Sequence, residues 1–125
     1  MACCQLPVDI QRNFQIAHAV GVETTFYSPG AGKSLEALIR PNTKVLYVES
    51  PGSETLEMQD IPASSGIAHA HGMTVIVDNT WATPLYFKAF EHGIDMPIHS
   101  VSKYIVGPAK FISLSQRTAR RRVMA

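Results

Sequence analysis

The chain has 125 residues, 46% of them apolar and 17% charged, which suits one globular domain with a single core and excludes wholesale disorder. Eleven basic against ten acidic side chains give a net charge of +1, too little for a field that would attract nucleic acid. The balance is uneven, because every acidic residue precedes Gln116 while Arg117, Arg120, Arg121 and Arg122 crowd the end, so a mildly acidic body carries a basic tail.

The opening, MACCQLPVDIQRN, has neither a basic start nor a long apolar stretch and is not a secretory signal. Cys3 and Cys4 are adjacent and have no distant partner, which argues against a disulfide framework and for a reducing compartment. They are expected on an unstructured terminus. VETTFY, residues 22–27, is rich in β-branched and aromatic side chains and predicts a short strand. SPGAG at 28–32 is loop punctuation. Ser34 can cap a short helix over LEALIR, 35–40, with Glu36 and Arg40 paired four apart and Pro41 as its stop. Residues 44–48 predict an apolar strand that ends at Glu49, followed by the loop SPGSETLEMQ.

Asp60 is a candidate N-cap, with Pro62 in the first turn of a helix that runs to about His71 and stops at Gly72. MTVIV, 73–77, is the clearest strand and leads directly to Asp78. Residues 82–90 predict a helix interrupted at its start by Pro84, and 98–101 a fourth short strand. No apolar run approaches the ~20 residues of a membrane span. A soluble, cytoplasmic protein is the expectation.

Strands alternating with helices predict an α/β class with a parallel sheet. In such sheets polar chemistry collects at the carboxyl ends of the strands. Here those ends carry Glu49, Asp78 with Asn79, and Ser100, Ser102 and Lys103. Other motifs carry less. GAGKS at 30–34 resembles part of a phosphate-binding loop, but that pattern needs glycine at position 27, where Tyr27 would obstruct the turn. His69 and His71 are two apart on a predicted helix, so they point to different faces, unlike metal-binding pairs four apart. The segment TARRRVMA is expected to be a solvated end rather than a nucleic-acid contact.

Asp78 could be a cap for the next turn or a carboxylate that pairs with a cation. Lys103 could be a surface charge or a nucleophilic amine beside an anion site. Pyridoxal phosphate (PLP) would use all four groups: an amine for its aldehyde, a carboxylate for its ring nitrogen, and hydroxyl donors for its phosphate.

Five segments, GVETTFY, LIRPNTKVLYVESPGS, DIP, TVIVDNTWATPLYFKAFEHGID and HSVSKYIVG, together resemble the cystathionine lyase and synthase family of PLP enzymes over about residues 21–107. IRPNTKVLYVESPGS and DNTW resemble its β-lyase branch. The resemblance implies part of the large domain of a fold-type I enzyme, at 17–107, with a mostly parallel sheet between helices. Segments 1–16 and 108–125 diverge from it. It also implies that Asp78 pairs with the ring nitrogen, that Lys103 bonds the aldehyde and later acts as base, and that Ser100 and Ser102 hold the phosphate. No metal is implied. The implied reaction is β-elimination of a cystathionine-like amino acid to homocysteine, pyruvate and ammonia, in a homotetramer.

The family's phosphate loop, its ring-stacking tyrosine and its carboxylate-binding arginine have no matched residue here. Weak cofactor binding follows as an expectation, and a non-catalytic fragment that associates with other subunits is the alternative. A receiver-like signalling domain fits worse, because the first strand region offers only Glu23 where such a domain needs an acidic cluster.

Overall fold

A computed structural model describes residues 2–4, 18–53 and 55–104. Among them five parallel strands form one sheet: β1 (Ala2–Cys4), β2 (Thr25–Tyr27), β3 (Val45–Glu49), β4 (Thr74–Asp78) and β5 (Met96–Ile98). Their spatial order is β2-β1-β3-β4-β5. The helices are α1 (Ile61–Ala70), α2 (Thr83–Tyr86) and α3 (Val101–Tyr104), with 3-10 segments at Gly32–Leu38 and Ala89–His92.

The alternation within the two apolar strands fixes which face is core. Leu46 and Val48 on β3, with Val75 and Val77 on β4, are at most 1% exposed. Helix α1 covers that face with Ile61, Ser64, Ser65 and Ala68, a three-and-four spacing that makes one buried stripe. The helix starts as the sequence predicts, with Asp60 accepting from the Ala63 N–H at 3.0 Å and Pro62 in the first turn. Gly72 follows at φ +68. His69 and His71 do diverge: His69 Nε2 lies 2.9 Å from Asp95 Oδ2, and His71 Nε2 lies 3.2 Å from Glu36 Oε1. Asp95 also accepts the Val75 N–H at 2.8 Å, so it ties the end of α1 to the entry of β4.

Several expectations are corrected. Cys3 and Cys4 belong to β1, between β2 and β3, not to an unstructured end. Three residues carry too little pattern to announce a strand whose partners come later in the chain. Residues 32–38 wind as a 3-10 segment rather than an α-helix capped by Ser34, whose hydroxyl instead donates to the Ala31 carbonyl at 2.7 Å. With three residues per turn, positions four apart no longer share a face. Glu36 accordingly meets His71, while Arg40 pairs with Glu23 at 3.0 Å. The 82–90 helix is split into α2 and the second 3-10 segment by extended backbone at Phe87. The fourth strand comes two residues earlier than expected, which puts Lys103 on a helical turn. The basic tail lies outside the described residues. No helix among the described residues is long and apolar enough to cross a membrane.

Gly93 is where the second 3-10 segment closes on α1. Its φ is +80, and a Cβ there would sit 3.0 Å from Ser65 Cβ. Gly93→Ala is expected to cost about 2 kcal/mol in urea unfolding, from the left-handed backbone and the contact together. Gly72→Ala, at φ +68 with open space around it, should cost about half as much. Equal losses at the two positions would refute the contact with Ser65.

Candidate functional site

Strand polarity brings the site together. The register pairs Glu49 with Asp78 and Asp78 with Ile98, so three strands end at one edge. Alternation puts Glu49 on the sheet face opposite Leu46 and Val48, and Asp78 opposite Val75 and Val77. Both carboxyls therefore point to the same side, away from the core beneath α1.

Beyond β4 the chain turns on Asp78 itself. Its Oδ1 accepts the Thr80 N–H at 2.9 Å, the local turn that aspartate favours two residues ahead. Its Oδ2 makes no hydrogen bond among the described residues. Thr80 Oγ1 in turn accepts the Ser100 N–H at 2.8 Å, which fixes the exit of β5 against that of β4. The Lys103 N–H donates to the Ser100 carbonyl at 3.0 Å and closes the turn of α3. The cap reading and the site reading of Asp78 are thus compatible, because one oxygen shapes the turn and the other remains for the cleft. Asn79 is buried beneath, donating from Nδ2 to the Phe87 carbonyl at 3.1 Å.

The result is a cleft of about 500 Å³ lined by Glu49, Pro51, Ser53, Asp78, Thr80, Trp81, Ser100, Lys103 and Tyr104. The Lys103 side chain is exposed and has no ion-pair partner among the described residues. Tyr104 stacks on His99 with ring centroids 5.8 Å apart. Ser102 lies on the same turn, α3, but its side chain falls outside the described part of the structure. Asp78, Ser100 and Lys103 thus line one cleft.

Glu49 is 6% exposed. Its Oε1 accepts from the Ser53 hydroxyl, while Oε2 is buried with no partner among the described residues. Burial pushes its carboxyl above the usual range; the Ser53 hydrogen bond opposes this, and the neighbouring Asp78 charge reinforces it. The loop after Glu49 is anchored from both ends. Gln59 donates from Nε2 to the Glu49 carbonyl at 2.8 Å and from its N–H to Ser50 Oγ at 2.9 Å, and Gln59 Oε1 accepts from Tyr27 at 3.0 Å. A second groove, about 520 Å³ and mainly apolar, shares Pro51 and Trp81 with the cleft and includes Leu56, Met58 and Tyr86.

The donor set suits a phosphorylated pyridine aldehyde. The cleft offers an amine, a carboxylate with an oxygen to spare, and a serine at the end of β5, in a volume ordinary for a small-molecule site. Five lining residues, Pro51, Ser53, Thr80, Trp81 and Tyr104, escaped the sequence reading. Thr80 had a signal, the aspartate two residues before it. Ser53 had none, since its place depends on the folding of its loop.

The family model of the Cys/Met metabolism PLP-dependent enzymes matches residues 11–113. A Saccharomyces cerevisiae protein provisionally named cystathionine beta-lyase is 54% identical over 87 residues, covering 70% of this chain and 26% of that protein. The L-methionine gamma-lyase of Porphyromonas gingivalis is 42% identical over 94 residues, covering 74% of this chain and 24% of its own. A solved structure from Campylobacter jejuni, provisionally an O-acetylhomoserine (thiol)-lyase, superposes with a TM-score of 0.77 at 32% identity, over 82% of this chain and 26% of that one. It carries a lysine modified as pyridoxyl-lysine monophosphate. The chain spans about a quarter of the length of the curated relatives it matches.

Proposed function

The chain belongs to the Cys/Met metabolism family of PLP-dependent enzymes, and from that premise we propose that it carries the lysine-bearing part of a PLP site for carbon–sulfur bond cleavage. Its α/β architecture is a partial large domain of the fold shared by those enzymes. The observation that carries the proposal is the convergence of Asp78, Ser100 and Lys103 on one cleft from two separate stretches of backbone, the end of β4 and the turn after β5.

Each residue has a role that its chemistry suits. Asp78 would hold a proton on the ring nitrogen by accepting that N–H at Oδ2 in a charge-assisted hydrogen bond. Ser100 and Ser102 would hold the phosphate. Lys103 is the primary amine for the aldehyde and, once free, the base for the substrate's α-proton. Bound PLP supplies an electron-withdrawing ring that stabilises negative charge at the α-carbon of an amino acid. The finer reading is β-elimination, in which cystathionine and water give homocysteine, pyruvate and ammonia. The β-lyase resemblance of IRPNTKVLYVESPGS and DNTW supports it, and the similarity to a γ-lyase keeps it a proposal.

Visible spectra of the full chain with PLP, followed by borohydride reduction and mass spectrometry, test the site. The expected result is one reduced adduct, on Lys103, and none on that peptide in Lys103→Ala. Reduction spread evenly over Lys33, Lys44, Lys88, Lys103 and Lys110 would overturn the proposal.

A second reading, a non-catalytic module that associates with longer subunits, is supported by the exposure of Leu56, Met58, Trp81 and Tyr86 around the apolar groove. A complex with a longer homologue that forms without any Lys103 adduct would favour it.

A further inference from the structure

Glu49 and Asp78 are the two acidic side chains of the cleft among the described residues, and the structure treats them differently. They are direct partners in the β3–β4 register, so their Cα atoms stand about 5 Å apart and their side chains leave the same face. Asp78 is half-buried, accepts a backbone N–H, and has Lys103 in the same cleft. Glu49 is 94% buried by its 6% exposure, and its Oε2 has no donor among the described residues. A buried anionic oxygen without a donor costs far more than a neutral carboxyl in the same place. Two carboxylates side by side do not both stay ionised when one is this deeply buried.

We infer that Glu49 holds its proton to higher pH than a free glutamate does, so that below its midpoint the Glu49–Asp78 pair presents a single negative charge to the cleft, on Asp78. Glu49 is thereby a positioning residue: it holds Ser53 through Oε1 and leaves Asp78 as the only anion for an incoming cation among the described lining residues. The charge of Asp78 is then matched by that of Lys103, and an anionic phosphate meets no second charged carboxylate among those residues. Among the described residues, the charged or titratable groups that line the cleft with Glu49 are Asp78 from β4 and Lys103 and Tyr104 from α3. The loop after β3 faces it with Ser53, which is uncharged. The upward displacement of the Glu49 carboxyl agrees with this arrangement. The consequence for a phosphate-bearing ligand rests on the cofactor reading above; the protonation itself does not.

Carboxyl-carbon NMR titration of the full chain without cofactor, assigned through the Glu49 backbone, tests the protonation and needs no variant. The expected midpoint lies above that of a free glutamate side chain, and Asp78→Asn brings it down by removing the neighbouring charge. A midpoint at the free-glutamate value overturns the inference, as does one that Asp78→Asn leaves unmoved, since burial alone would give that. PLP titration then tests the consequence. Affinity of the wild type should fall about fivefold as pH rises through the Glu49 midpoint, a step absent in Glu49→Gln. Matching alkaline profiles for the two proteins would overturn the role in binding. Failure of the Lys103 adduct with the NMR result intact would strike the cofactor reading alone.

Discussion

Asp78→Asn is expected to weaken PLP retention by roughly 10- to 100-fold, the worth of one hydrogen bond to a charged group. Asparagine has nearly the same shape, and its side-chain oxygen can still accept the Thr80 N–H that now reaches Oδ1 at 2.9 Å. The turn and the Thr80–Ser100 contact therefore survive, and the loss isolates the charge. Adduct formation on Lys103 should persist at raised PLP concentration, because the amine is supplied from a different element. Equilibrium dialysis with absorbance detection gives the affinity. Retention within twofold of wild type would mean that the Asp78 carboxylate does not serve the ring nitrogen.

Leu46→Ala should cost about 3 kcal/mol in chemical denaturation, with a fall of about 10 °C in melting midpoint. Leu46 has no exposed surface, and its register partners are Ala2 and Val75, so the cavity would open at the centre of the sheet. A loss of that size is a large share of the ~5–15 kcal/mol by which a domain is stable. Leu38, 36% exposed at the end of the first 3-10 segment, is the contrast: Leu38→Ala should cost under about 1 kcal/mol. Similar losses at the two leucines would show that the sheet face is not the core.

What the sequence made legible was local. The cap at Asp60, the proline in the first turn and the glycine stop each act within a few residues, and α1 lies where they put it. The strands before Glu49 and Asp78 were legible because an unbroken apolar run has few other places to go. Strand β1 was not, because ACC gains its identity only from Tyr47 and Phe26, its partners on either side. The 3-10 winding at 32–38 was hidden for a similar reason: LEALIR has helical periodicity, and docking against α1 and β2 decides its pitch. At the site, the residue types were visible and their shared cleft followed from strand polarity. The proton economy of Glu49 was not visible, since it depends on how deeply the folded loop after β3 covers one oxygen.

The strand order has a consequence for how the chain assembles. Strand β1 occupies an interior place in the sheet, and its neighbours arrive only with Thr25 and Leu46. A growing chain thus holds β1 in reserve until a long stretch after it has been synthesised, and two loop closures must succeed before both its edges are paired. Such non-local pairing slows folding and prolongs the exposure of unpaired backbone. Temperature and expression rate should accordingly govern the yield of folded protein more strongly than they would for a fold built from neighbouring hairpins.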